Sequence, residues 1–409
     1  MQIIPNGSIT SPRGFLAGAI YAGIKTYGAE KKDLALLVST APCAAAGVFT
    51  TNKVKAAPVL LCQEHLSAGH AQGIIANAGC ANACTGGQGA ADAAEMAALA
   101  AAKLHLEARS ILVASTGKIG MPMPMDKVRQ GLNDLVVTPD GGHDFAQAIM
   151  TTDTRRKEIA VSVSLSHAAD GSGAPPAYTI AGCCKGAGMI HPNMATMLAC
   201  VTTDAAVDPA VLHAALHHAA DVSFNMVSID GDTSTNDTLV ILANGQSRQP
   251  VIQPGTPEAL HFQAALDYVC VDLARRIAAD GEAATKLIKV VVRGAATLAD
   301  ARLAARSVAG SNLTKCAVHG ADPNWGRILC AVGYSGAHVD PDRLECHLGD
   351  VCVVRNGTPV AFDEAAAHQA LAGGEVAIGV DLHLGAECAT AWGCDLTEGY
   401  VRFNSEYTT

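Results

Sequence analysis

Aromatic side chains are scarce, at 4% of 409 residues, so the core has to be assembled from Ala, Val, Ile and Leu. Charge is scarce as well, at 16%, against 49% hydrophobic residues and 40 glycines. Disorder as the main state needs the reverse balance and is excluded. No basic run or basic helix stands out, and Lys+Arg 28 against Asp+Glu 38 leaves a net charge of −10. That balance argues against nucleic acid or an anionic membrane as partner. No stretch of roughly 18 apolar residues is free of charges and turn residues. Residues 88–104 come closest, but Asp92, Glu95 and Lys103 make them an alanine-rich soluble helix. Met1-Gln2-Ile3-Ile4-Pro5 has no basic region followed by an apolar one, so a cytoplasmic chain is expected. The 14 cysteines then read as reduced, mostly buried small hydrophobes. The length fits two or three domains, or two tightly joined halves.

Several motifs are missing. There is no GxGxxG, no GK[ST] and no GxSxG, so the Gly186-x-Gly188 pair is a poor nucleotide loop. His213 and His217 lie four apart with His218 beside them, but no HExxH glutamate accompanies them and helix-surface histidines are the simpler reading. Cys80/Cys84 and Cys183/Cys184 match no zinc or redox spacing. The run Asp230-Gly231-Asp232-Thr233-Ser234-Thr235-Asn236-Asp237-Thr238 is unusually polar. It suggests a metal loop, yet it lacks the EF-hand's turn glycine and terminal Glu. A turn held by its own Asx and Ser/Thr side chains is favoured, and no metal is expected.

Short apolar runs bounded by turn residues predict strands at Leu34–Ser39, Val59–Cys62, Gly73–Asn77, Ser110–Ser115, Glu158–Ser164, Tyr178–Gly182, Met197–Thr202, Leu239–Ala243 and Lys289–Arg293. Val376, Ile378, Val380, Leu382 and Leu384 alternate strictly, a half-buried strand. Helices are predicted over 88–104, 124–132, Pro209–Ala220 and Pro257–Ala279, the last two opening with proline. Ala168–Ala177 reads as a turn-rich loop. Strands near both ends with helices between imply mixed sheets covered by helices, and no long linker separates the halves.

The most informative segment is Lys185–Cys200, KGAGMIHPNMATMLAC, where Thr196 stands between a glycine/proline loop and an apolar strand. On pattern alone it is a strand-start residue. Chemically, a threonine with a freed α-amino group carries nucleophile and base on one residue. That amine has a pKa of roughly 7.7–8. A chain exposes it by cutting itself just before the threonine: the hydroxyl attacks the preceding carbonyl and water opens the resulting ester. The segment resembles the self-cleavage site of the ornithine acetyltransferase family, also called glutamate N-acetyltransferase or arginine biosynthesis bifunctional protein. The likeness runs through Ala46-Gly47-Val48-Phe49-Thr50-Thr51-Asn52, Asn77–Gly86, Ala114-Ser115-Thr116-Gly117 and Met150-Thr151-Thr152-Asp153-Thr154. It continues through Asp230–Thr238, Asp280-Gly281-Glu282, Asp322–Arg327 and Tyr400-Val401-Arg402-Phe403-Asn404. The chain departs from the family pattern at Cys80, where asparagine is common, at Ala283, where glycine is, and at the ending Asn404–Thr409.

The resemblance implies an α/β four-layer sandwich, with paired mixed sheets between covering helices, like N-terminal-nucleophile enzymes. It implies a cut between Ala195 and Thr196 into an α chain of residues 1–195 and a β chain of residues 196–409, assembled as two of each. The implied reaction is ping-pong: Thr196 takes the acetyl group of N2-acetyl-L-ornithine, releases L-ornithine, and passes the acetyl group to L-glutamate. Family positions carry oxyanion stabilisation to Thr116 and Gly117, and substrate contacts to Thr152, Lys185, Thr196, Glu282, Asn404 and Thr409, with Thr151 an alternative to Thr152. No cofactor is expected; acetyl-CoA stays open as a second donor. An N-terminal-nucleophile amidase or peptidase, with water as acceptor, is the alternative.

Overall fold

The computed structural model describes residues 1–25, 31–164, 177–191 and 197–406. Among these, nine strands form a first mixed sheet in the order Gln2–Ile3, Lys157–Ser164, Ala177–Lys185, Leu198–Thr203, Thr238–Ala243, Leu34–Phe49, His70–Cys80, Ile111–Lys118, with Phe15–Ile20 also on Leu34–Phe49. Two neighbouring pairs are parallel: Leu198–Thr203 with Thr238–Ala243, and His70–Cys80 with Ile111–Lys118. Seven described strands form a second sheet centred on Glu375–Asp381, Leu287–Ala295 and Glu387–Cys394.

Side-chain alternation along each strand sorts the core. On one face of the first sheet, Ala35, Leu37, Ile74, Leu112, Val240 and Leu242 pack with Phe145 and Ala146 of the helix Gly142–Ala148. On the opposite face, Leu34, Leu36, Ile75 and Val113 meet the alanine-rich helix Gly86–Leu104 through Met96, Ala97 and Ala100. Farther along that face, Val161, Ile180, Leu239 and Ile241 pack on the helices Pro209–Val222 and Pro257–Ala279. The helix Pro257–Ala279 touches strands of both sheets, and the same core continues into Ile288, Val290, Val376 and Ile378 of the second sheet. The layers are thus helix, sheet, helices, sheet: the α/β class of mixed sheets with helices is as expected, but helices lie between the two sheets rather than outside a stacked pair, because Pro257–Ala279 is buried by both. In the second sheet, Val376, Ile378 and Val380 are buried while Glu375 and Ala377 between them are exposed, as the alternation predicts.

One expectation fails. Val59–Cys62 is not a strand but part of the helix Ala57–His65. Pro58 opens this helix, and Val59, Cys62 and His65 recur at helical spacing on its buried side. A four-residue apolar run does not carry enough period to separate the two outcomes. The predicted loop at 168–177 lies outside the described residues, except that Ala177 begins a strand. All 14 cysteines are free and nine are buried. Among the described residues, no helix is long and apolar enough to cross a membrane.

Candidate active site

The strand Ala177–Lys185 runs antiparallel to Leu198–Thr203, and Lys185 pairs with Leu198. The strand end at Lys185 and the strand start at Leu198 therefore lie at the same end of the first sheet. Ala195 and Thr196, and with them the expected cut, lie outside the described residues, as does Thr409.

A cavity of about 160 Å³ opens there, lined by Thr116, Gly117, Thr151, Thr152, Lys185, Glu282 and Asn404. Every described residue singled out from the sequence for catalysis or substrate contact is on its wall, and both Thr151 and Thr152 are. They come from five separate segments. Thr116 and Gly117 end the strand Ile111–Lys118 beside Gly79 and Cys80, where the parallel register shifts. Gly117 has φ +126°, and a Cβ there would collide with the Gly79 carbonyl carbon. Only glycine allows this close approach. The segment is tied down by Asn236, whose side-chain amide donates to the carbonyls of Ser115 (2.8 Å) and Ala81 (2.6 Å).

Lys185 is 3% exposed. Among the described residues no hydrogen bond or ion pair engages its ammonium group. Burial lowers its pKa, Asp153 opposes that shift, and Lys157 reinforces it. A buried cation on a cavity wall, with no partner among the described residues, is suited to receive a carboxylate. Opposite charge is supplied by Glu282, whose Oε2 accepts from Asn404 Nδ2 at 2.9 Å. Its backbone N–H donates to the Ala187 carbonyl at 2.8 Å, and a Cβ on Gly188 would fall 2.6 Å from its carboxylate. Glycine at 188 is what lets Glu282 close on the loop.

The acidic run wraps the other side. Asp230 accepts from the backbone N–H groups of Met189 (2.6 Å) and Ile190 (2.9 Å) and from the Tyr400 hydroxyl (3.2 Å). Asp237 is fully buried; its Oδ1 accepts from Met197 N–H at 3.1 Å and its Oδ2 has no hydrogen-bond partner among the described residues. Burial pushes Asp237 well above the usual carboxylate range. The run thus works as a brace, as its Asx and Ser/Thr content suggests, but its bonds reach other segments rather than itself alone.

The ArgJ family model matches residues 16–409. The chain belongs to the ArgJ family. The arginine biosynthesis bifunctional protein ArgJ of Symbiobacterium thermophilum is 55% identical over 406 residues, covering 98% of this chain and 99% of its own. A crystal structure of arginine biosynthesis bifunctional protein ArgJ from Bacillus halodurans is 43% identical, with TM-score 0.49 over 50% of this chain and 97% of that one. One of ornithine acetyltransferase complexed with ornithine, from Mycobacterium tuberculosis, is 39% identical, with TM-score 0.41 over 48% of this chain and 99% of that one.

Sequence reasoning about this ArgJ chain missed Asp230, Asn236 and Tyr400 as parts of the cavity wall, and gave Asp153 and Lys157 no role. The first three sat inside quoted motifs without a named task. For Lys157 the only signal was a lysine opening an apolar strand, and its partner Asp280 lies 123 residues away.

Proposed function

We propose that this chain cuts itself between Ala195 and Thr196 and then moves the acetyl group of N2-acetyl-L-ornithine to L-glutamate, a step of arginine biosynthesis. In the cut, Thr196 Oγ attacks the Ala195 carbonyl, the C–N bond breaks, and the ester formed is opened by water. Residues 1–195 and 196–409 then stay associated, two of each, as a cytoplasmic enzyme. In the transfer, the freed α-amine takes the Oγ proton as the hydroxyl attacks the acetyl carbonyl, and delivers it to the leaving α-amine of ornithine. The neutral α-amine of L-glutamate then attacks the acetyl-threonine ester, and the threonine oxygen recovers a proton. The Thr116 hydroxyl and the Gly117 N–H are the donors for the oxyanion formed in each half-reaction. Lys185 takes the α-carboxylate that both substrates carry. Glu282, with Thr152, Asn404 and Thr409, completes the substrate wall, with Glu282 toward an ammonium group. Each of these steps uses the chain's own groups, and acetyl-CoA stays open as a second donor.

The observation that supports this reading is the convergence of Thr116, Gly117, Thr152, Lys185, Glu282 and Asn404 on one cavity, beside the strand ends that flank residues 186–197. Intact-mass analysis should find two fragments, the second beginning at Thr196, and Thr196→Ala should stay uncut and inactive. Acetylornithine should be consumed much faster with L-glutamate than without it. A single uncut chain that is active would sink the mechanism. Equal consumption without glutamate would make water the acceptor. Cleaved Lys185→Ala should show KM raised for both substrates.

A further inference from the structure

Behind the cavity wall lies a buried charge cluster that touches no part of the cavity with a free polar atom. Lys157 is fully buried and its Nζ donates to Asp153 Oδ1 (2.6 Å) and Asp280 Oδ2 (2.5 Å). Asp153 Oδ1 also accepts from Gly186 N–H (2.7 Å), and its Oδ2 from Thr151 N–H (3.0 Å). One carboxylate therefore grips the neighbour of Lys185 and the neighbour of Thr152. Asp280 accepts from the backbone N–H of Thr154 (3.1 Å) and from the Thr154 hydroxyl, and it begins the turn that carries Glu282. Three wall segments are locked to one another by this ring of bonds.

The cluster also determines the charge around Lys185. The titratable groups that act on Lys185 are Asp153, Lys157, Glu282 and Asp237, and Lys25 feels it in turn. Asp153 is the nearest thing Lys185 has to a counter-ion. Asp237 is pushed toward its neutral form by burial, and Lys157 and Lys25 are like charges. Asp153 itself, despite full burial, is held at about 2 by Lys157, Lys185 and the Gly186 N–H. It is therefore ionised whenever the enzyme works.

We propose that Asp153 is a positioning residue for substrate capture: it holds Lys185 and Thr152 at fixed separation and supplies the fixed negative charge that keeps Lys185 an ammonium inside a dry wall. The proposal rests on the reading of Lys185 as the carboxylate receptor. Asp280 shares Lys157 and holds Thr154, so it has the first of these tasks only in part, and it is not among the main charges acting on Lys185.

The sign follows directly. Burial favours the neutral amine of Lys185, and Asp153 opposes it. Removing the Asp153 charge lets Lys185 lose its proton at lower pH, and a neutral amine no longer pairs with a carboxylate. The test measures kcat/KM against pH for acetylornithine and for glutamate in cleaved Asp153→Asn, Asp280→Asn and Lys185→Ala enzymes. In Asp153→Asn the alkaline limb should move to lower pH for both substrates. In Asp280→Asn thermal stability should fall while the limb stays where it is in the parent enzyme. If Asp153→Asn does not accumulate as a folded, cleaved enzyme, Asp153→Glu decides. It keeps the charge on a longer arm, so the limb should stay and KM should rise on the order of tenfold, the loss of one charge-assisted hydrogen bond. A folded Asp153→Asn with an unmoved limb, an equal shift in Asp280→Asn, or an Asp153→Glu enzyme with parental KM would overturn the proposal. Failure of Lys185→Ala to raise KM would overturn the underlying reading instead, which keeps the two apart.

Discussion

Two walls of the same cavity bury aspartates in opposite ways. On one, Asp153 and Asp280 share Lys157, and each also accepts backbone N–H bonds. On the other, Asp230 and Asp237 are held by N–H groups of residues 189, 190 and 197, with no cation in contact among the described residues. The consequence is visible in protonation. Burial raises Asp153, Asp230 and Asp237 alike, but on the first wall Lys157 and Lys185 reverse it and Asp153 stays near 2. On the second, Asp230 and Asp237 remain raised by burial. Similar side chains at similar depth are thus held as a fixed charge on one wall and shifted toward the neutral form on the other. What separates them is a lysine whose desolvation is offset by two carboxylates at hydrogen-bond distance.

The largest effect should come from removing that lysine. Lys157→Met would leave Asp153 and Asp280 buried together without the cation they share, with only the exposed Arg155 3.7 Å from Asp280, at a cost of about 3–5 kcal/mol. Chemical denaturation near neutral pH measures it. A loss below about 1 kcal/mol would mean the first wall is no different from the second.

Next in size is a pair of opposite pH dependences. Asp153 is held at about 2, below its unfolded value of about 3.9. It therefore contributes about 2–3 kcal/mol above roughly pH 4, lost as pH falls through the folded value. Asp237 runs the other way. Its folded value is raised, so its cost begins as pH climbs past the unfolded value and grows until the folded value is reached. Denaturation across pH should show Asp153→Asn most destabilised near neutrality and converging on the parent in acid. Asp237→Asn should gain on the parent as pH rises. Parallel curves for the two variants would erase the distinction between the walls.

The smallest effect concerns backbone strain on the first wall. Ala283 follows Glu282 with φ +56°, the left-handed region that costs an L-residue about 1–2 kcal/mol. Ala283→Gly should raise stability by about 1 kcal/mol or less, since glycine also adds freedom to the unfolded chain. A fall in melting temperature would show that the alanine is better accommodated than its dihedral implies.

Much of the site was readable, but through the family resemblance rather than through pattern. Thr116-Gly117, Thr152, Lys185, Glu282 and Asn404 were carried over from family motifs, and they line one cavity. Residue by residue, Thr116-Gly117 reads as a turn after a strand, and Lys185 and Glu282 read as surface charges. The taste for glycine at 117 is local, a positive φ against a neighbouring backbone. Lys157 and the task of Asp153 were not readable. A lysine at the head of an apolar strand looks like a surface charge until Asp280, far along the chain, is brought against it.

The sequence by itself determined the strand and helix alternation, which rests on periodicity and on side-chain chemistry over a few neighbours. The two-sheet class and the set of residues around the cavity came from the likeness of whole motifs to the ornithine acetyltransferase family. The helix at Ala57–His65 needed the packed structure, because four apolar residues carry no usable period. So did the charge state of every buried group. Whether an aspartate is a charge or a neutral brace depends on desolvation and on which cation lies within about 4 Å, and both are properties of the folded chain rather than of any segment.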